Sequence, residues 1–293
     1  MARVRKSAPQ VVHRLLAEQF KIVKANEPRA RTGSVKGLHD LRVALRRIRT
    51  LARVFAPLDP KFMARLDHRA RKVCSRMGDA RDLDVWLALF GELEEAGGLD
   101  EMARRDRKSV RAELRAARTR LAAEALDCGA FRRVKKMLTE RLRRKPAADR
   151  DAPSAEALAA RRMLEVRATI ARRYRQAGSF SSKPAHNLRR AGRRMRYLSE
   201  FFAESLGRES VRAGQWITKA QAALGKVHDS DNSLELSKDL PAGSARTRVR
   251  RHLRTRRRVF LARFRTAWKH YADPRLQQAW EKQLKAAAEL DAG

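Results

Sequence analysis

One segment occurs twice in the chain, in register, and every fold open to this sequence must accommodate both copies. Residues 38–55 read LHDLRVALRRIRTLARVF and residues 185–202 read AHNLRRAGRRMRYLSEFF. His39, Arg42, Arg46, Arg47 and Arg49 correspond to His186, Arg189, Arg193, Arg194 and Arg196, and each pair is 147 positions apart (186 − 39). Phe55 and Phe202 keep the same offset.

The spacing predicts a helix with two faces. Leu38, Leu41, Leu45, Ile48, Ala52 and Phe55 recur at alternating steps of three and four, an apolar seam. His39, Arg42, Arg46, Arg49 and Arg53 step the same way, so at about 100° per residue they form a narrow cationic row beside the seam, roughly 20 Å long. Like charges at these spacings repel. A solvated face is the ordinary fate of such a run. Two copies in register point instead to a polyanionic ligand, with Arg47, Arg53 and Arg194 peripheral.

Composition agrees. Lys and Arg number 69 against 33 Asp and Glu, a net charge of +36 in 293 residues. A compact chain with this excess repels itself unless a polyanion shares its field; nucleic acid, inorganic polyphosphate and an anionic membrane surface qualify. The 43% hydrophobic content is enough for a sizeable core. Cys74 and Cys128 have neither disulfide nor zinc spacing, which suits a reducing cytoplasm. The basic start MARVRKSAPQ leads into no apolar run, so neither a signal peptide nor a membrane span is expected.

Periodicity predicts helices at about 9–25, 36–56, 60–77, 80–96, 99–127 and 130–144, then at about 156–177, 184–205, 209–225, 228–238, 245–271 and 274–290. The Pro-containing stretch KPAADRDAPSAE between the sets reads as a linker. The fold class is therefore all-α, with repeats over 1–148 and 149–293, each a unit of about four main helices.

The repeat continues past the basic helix. Met77-Gly78-x-x-x-Asp82-x-Asp84 recurs as Leu224-Gly225-x-x-x-Asp229-x-Asp231. Arg65, Arg69, Lys72 and Arg76 form a second cationic stripe; its counterpart keeps Arg212 and Lys219 but has Trp216 and Ala223 at the other two places. The carboxylates of each D-x-D lie about 200° apart on a helix, poor for joint metal ligation. Asp82 and Asp229 are expected to cap a following helix or orient arginines, and Gly78 and Gly225 to mark tight turns or close helix approach.

The segment L-H-x-L-R-x-x-x-R-R-x-R followed by M-G-x-x-R-D-L-D-V resembles the CHAD family, named for a histidine-containing α-helical domain. Leu38–Arg49 and Met77–Val85 carry the resemblance, and 185–196 with 224–231 carry the second copy. It implies two four-helix bundles related by a pseudo-twofold, basic residues facing a shared channel, binding of inorganic polyphosphate, and a place on polyphosphate granules. Two positions depart: His228 stands where the first copy has Arg81, and Gly192 replaces Leu45. No E-x-E-x-K motif of a fused triphosphate-tunnel domain is present.

The binding residues so implied are His39, Arg42, Arg46, Arg49, Arg65, Arg69, Lys72, Arg76, His186, Arg189, Arg193, Arg196, Tyr197, Arg212 and Lys219. The rival reading is a nonspecific nucleic-acid binder. It is poorly provided with stacking aromatics, Tyr197 being the exception. The dyads His39-Asp40 and His228-Asp229 suggest a metallophosphohydrolase, but the duplication preserves neither. With no Walker A, HExxH or G-x-S-x-G sequence, catalysis, a cofactor and a metal are not expected. Residues 243–269 hold 11 Lys and Arg and no acid, a second polyanion surface or a solvated back. Val249, Leu253, Phe260, Phe264 and Trp268 within them read as core.

Overall fold

The two apolar seams lie at the centre of the molecule. In a computed structural model describing residues 7–95, 99, 102–146, 152–178, 180–240 and 243–289, Leu38, Leu41, Leu45, Ile48, Ala52 and Phe55 are all buried. So are Leu188, Met195, Leu198 and Phe202.

The described residues form ten α-helices: α1 (Ala8–Arg31), α2 (Val35–Val54), α3 (Pro60–Glu95), α4 (Arg104–Asp127) and α5 (Gly129–Leu142), then α6 (Ala155–Arg175), α7 (Ser182–Leu206), α8 (Arg208–Leu236), α9 (Ser244–Tyr271) and α10 (Pro274–Ala288). The chain is all-α. The expected boundary at 148/149 falls among 147–151, outside the described residues.

Local chemistry sets several helix starts. Ser34 Oγ accepts from Gly37 N, Ser154 Oγ from Ala157 N and Asp273 Oδ1 from Leu276 N, each at 3.0 Å. Each such cap contributes about 1 kcal/mol. Gly37 is also required by packing: a Cβ there would sit 2.9 Å from the Ala30 amide nitrogen, so only glycine lets α2 fold back this closely on α1.

Six expected helices per half become five. The segments 60–77 and 80–96 are one helix, α3, and 209–225 and 228–238 are one helix, α8. Gly78 and Gly225 thus lie inside helices rather than at turns. A mid-helix glycine costs only about 0.5–1 kcal/mol, and here burial on both sides outweighs it. The first part of α3 (Met63, Leu66, Val73, Met77) belongs to the main core. The last part (Trp86, Phe90, Leu93) belongs to a second core with Leu240, Val249 and Leu253 from the other half. A helix that must reach two cores has no reason to break between them. Asp82 and Asp229 therefore cap nothing.

The main core includes residues of both halves. Phe55 and Phe202 meet edge to face with ring centroids 6.1 Å apart, and Ala8 N donates to Pro153 O at 3.1 Å. Of the aromatic-rich face of α9, Val249, Leu253, Phe264 and Trp268 are buried as expected, with Phe260 packed at the edge.

Candidate polyanion site

Burying both seams brings the two cationic rows toward each other across the junction of the halves. Near the C-terminal end of the rows, Arg47 Nη2 of α2 lies 2.6 Å from Glu200 Oε2 of α7. Arg196 Nε approaches the other Glu200 oxygen at 3.3 Å, and its Nη1 donates to Gln221 Oε1 at 2.9 Å. Beneath them Tyr197 is buried, with the Arg196 guanidinium 4.9 Å and the Arg47 guanidinium 5.9 Å from its ring centroid. Tyr197 is therefore a support for the arginines and offers no open stacking face.

Further along, Arg46 of α2 and Arg189 and Arg193 of α7 share one electrostatic neighbourhood. Burial, then Arg46 and Arg189, pull the Arg193 guanidinium down to about 9. Burial also lowers Arg189, with Arg46 acting the same way and Asp229 opposing. Arg42, Arg46, Arg189 and Arg193 have no ion pair among the described residues. Arg42 has only a long contact, 3.4 Å, from its Nε to the Cys74 carbonyl. The Nε of Arg189 is buried with no hydrogen-bond partner. The two mid-helix glycines face these side chains: a Cβ on Gly78 would meet Arg42 Nη2 at 3.4 Å, and one on Gly225 would meet Arg189 Nε at 3.8 Å. The expected close approach is that of an arginine to a helix.

The D-x-D pairs divide their labour by direction, as two carboxylates about 200° apart must. Asp84 faces outward to α4, where Arg118 Nε donates to it at 2.8 Å in a buried pair. Asp231 likewise takes Arg257 of α9, at 2.6 Å. Asp82 and Asp229 face the arginine cluster and each other. Burial, then Asp229 and Asp79, push the Asp82 carboxyl up to about 6. Burial raises Asp229 while Arg189 opposes.

The histidines differ. His39 is exposed at the head of the first row; partial desolvation and the nearby Arg81 hold it below its usual value. His186 is partly buried, its Nδ1 3.5 Å from Nδ1 of His228. Burial, then Arg189, drives His228 down to about 3. Burial, then Arg189, also lowers His186, so both imidazoles are neutral at ordinary pH.

Several expected ligand contacts lie elsewhere. Arg49 Nε donates to Asp67 Oδ1 at 2.8 Å, and Arg53 Nε to Oδ2 at 3.0 Å. Arg194, near Arg53 and Arg190, is lowered to about 10, mainly by burial. Arg65 and Arg69 line a separate groove on the outer side of the first half, and Lys72 and Arg76 continue that exposed stripe. Arg212 pairs with Glu209 at 3.1 Å, and the ammonium of Lys219 sits 4.3 Å over the Trp216 ring. Sequence reasoning missed Asp67, Glu200 and Arg81, whose part depends on helix packing, and it read His228 as a departure from the pattern and as half of a dyad that the duplication does not preserve. No group of three metal-ligating side chains occurs among the described residues, and no described helix is long and apolar enough to cross a membrane.

The CHAD domain family model matches residues 14–238, so the chain belongs to the CHAD domain family. Two solved structures share the fold. A crystal structure of the CHAD domain from the plant Ricinus communis is 22% identical, with 96% of this chain and 93% of that chain aligned at a TM-score of 0.63. PptA from Streptomyces chartreusis is 15% identical, with 90% and 99% aligned at 0.62. No curated protein matches.

Proposed function

We propose that the protein binds inorganic polyphosphate without catalysis, through Arg42, Arg46, Arg189 and Arg193 at the junction of α2 and α7, and thereby sits on cytoplasmic polyphosphate granules. One observation carries this reading: the inner arginines of both rows gather with no ion pair among the described residues, and burial and mutual repulsion lower Arg193 to about 9. A chain of phosphates relieves that repulsion, and guanidinium forks match phosphate oxygens in pairs. His39 and His186 flank the row as further donors. Family membership supports the reading.

Nucleic acid is the second reading, favoured by exposed Arg251, Arg254 and Arg258 on α9. Stacking is scarcely provided for, since Tyr197 is buried. Titration with long-chain polyphosphate and with duplex DNA of equal phosphate count, at one physiological salt concentration, separates the two. Tighter polyphosphate binding is expected; equal or tighter DNA binding replaces this reading with the second. Incubation with polyphosphate or nucleoside triphosphates and Mg²⁺ or Mn²⁺ should release no orthophosphate.

A further inference from the structure

Arg65 and Arg69, set apart from the inter-half cluster, line a groove between α1, α3 and α5 of about 830 Å³, within the ~300–1,000 Å³ typical of small-molecule sites. Its floor is apolar: Val12 and Leu16 of α1, Phe62 of α3 and Met137 of α5. Its walls are cationic. Arg133, Lys136, Arg141, Arg144 and Lys145 join the two α3 arginines, and Glu140 is the one acid in the lining; Arg141 alone is committed, paired with Asp59 at 3.5 Å with its guanidinium 5.3 Å from the Phe62 ring centroid. Lys136 approaches Glu140 at 3.9 Å on well-exposed surfaces, a weak pairing. Arg65, Arg69, Arg133, Arg144 and Lys145 have no ion pair among the described residues. On the α1 side His13 lines the groove, and its Nε2 is buried with no hydrogen-bond partner.

The combination is selective. A bare polyanion has no use for an apolar floor, and an apolar ligand has none for a wall of unpaired cations. We propose that this groove is a second anion site that takes a small organic phosphate. Its phosphates lie against Arg65, Arg69, Arg133 and Lys136, and its apolar or flat body rests on Phe62 and Met137, the partly buried members of the floor. A nucleoside phosphate and the phosphate headgroup of a lipid present the same chemistry. The second half does not repeat the two α3 arginines as free cations: Arg212 is paired with Glu209, and Trp216 stands in the place of Arg69.

The test uses the full chain carrying Arg189→Ala/Arg193→Ala, which silences the inter-half cluster so that the groove is read alone. Calorimetry with ATP, with tripolyphosphate, and with phosphatidic acid vesicles separates phosphate from body and soluble from lipid source. ATP or the vesicles should bind at one site, and tripolyphosphate, which lacks a body, about tenfold more weakly. Adding Arg133→Glu/Lys136→Glu should lower the affinity for whichever organic phosphate binds by at least about tenfold. In the otherwise unaltered chain, the same groove variant should change long-chain polyphosphate binding by less than about threefold. Met137→Asp, folded by circular dichroism, should also weaken the organic phosphate. Tripolyphosphate binding as tight as ATP, indifference to Arg133→Glu/Lys136→Glu, or no binding of either organic phosphate overturns the proposal. None of these outcomes bears on polyphosphate binding at α2 and α7.

Discussion

The two halves share one sequence frame and use it differently. In the first, Arg42 finds the Cys74 carbonyl, His39 stands exposed, and Arg81 occupies the place that His228 takes in the second. In the second, Arg189 and Arg193 are lowered by burial, Arg189 Nε has no partner, and two neutral histidines pack together. The second half thus supplies the deep, desolvated wall of the junction and the first its more open side. A duplicated motif preserves where cations can be placed; the neighbours packed around them decide what each placement costs.

The largest effect expected concerns the outward aspartates, which look equivalent in sequence. Asp84→Ala leaves Arg118 buried and unpaired, at a cost of about 3–5 kcal/mol. Asp231→Ala should cost less, because Arg257 is 23% exposed and can recruit water. Urea denaturation of both variants measures the difference; equal losses would remove the claimed asymmetry.

Next come the inner arginines. Arg42→Ala/Arg46→Ala and Arg189→Ala/Arg193→Ala should each weaken polyphosphate binding about 100-fold, the second pair more, if each lost charge-assisted contact contributes about 1.5 kcal/mol. Two lost contacts should also flatten the log–log salt slope by about 1.4. Stoichiometry should stay at one polymer segment per chain. A halved stoichiometry at unchanged affinity would mean that the rows are two independent sites.

Protonation sharpens the contrast between the halves. Between about 3 and 6.5 the unfolded chain binds a proton at His228 that the folded chain does not, so this residue makes stability rise with pH across that window. Asp82 acts oppositely. Between 3.8 and about 6 the folded chain holds a proton that the unfolded chain has released, so its contribution falls as pH rises. His228→Gln should therefore flatten the acid side of the stability curve and Asp82→Asn steepen it, as thermal melts from pH 3 to 7 would show. Polyphosphate shields the cations around His186 and His228 and should draw protons onto them, so affinity rises as pH falls. Calorimetry in buffers of different ionisation enthalpy reads that uptake directly.

The smallest effect belongs to the paired arginines. Arg49→Ala and Arg196→Ala, already held by Asp67 and by Glu200 with Gln221, should each change polyphosphate affinity by less than about fivefold, the range of a partly exposed ion pair. A loss as large as that of the inner pairs would show that these salt bridges open to admit the polymer.

What the sequence determined by itself was everything that rests on local periodicity. Steps of three and four placed Leu38 to Phe55 in the core and the arginines beside them, and the offset of 147 identified the second copy. The angle between Asp82 and Asp84 already set the two carboxylates in different directions. Only the tertiary structure decided which cations stay unpaired. Arg42 and Arg49 belong to one stripe, yet one lies over Gly78 and the other meets Asp67, because α3 crosses α2 and offers different residues at each level. It also decided that Gly78 lies within a continuous α3, since the second core that α3 must reach is completed by Leu240, Val249 and Leu253 from the far end of the chain. Partners so distant in sequence leave no local period to read; they are chosen by which buried surfaces fit.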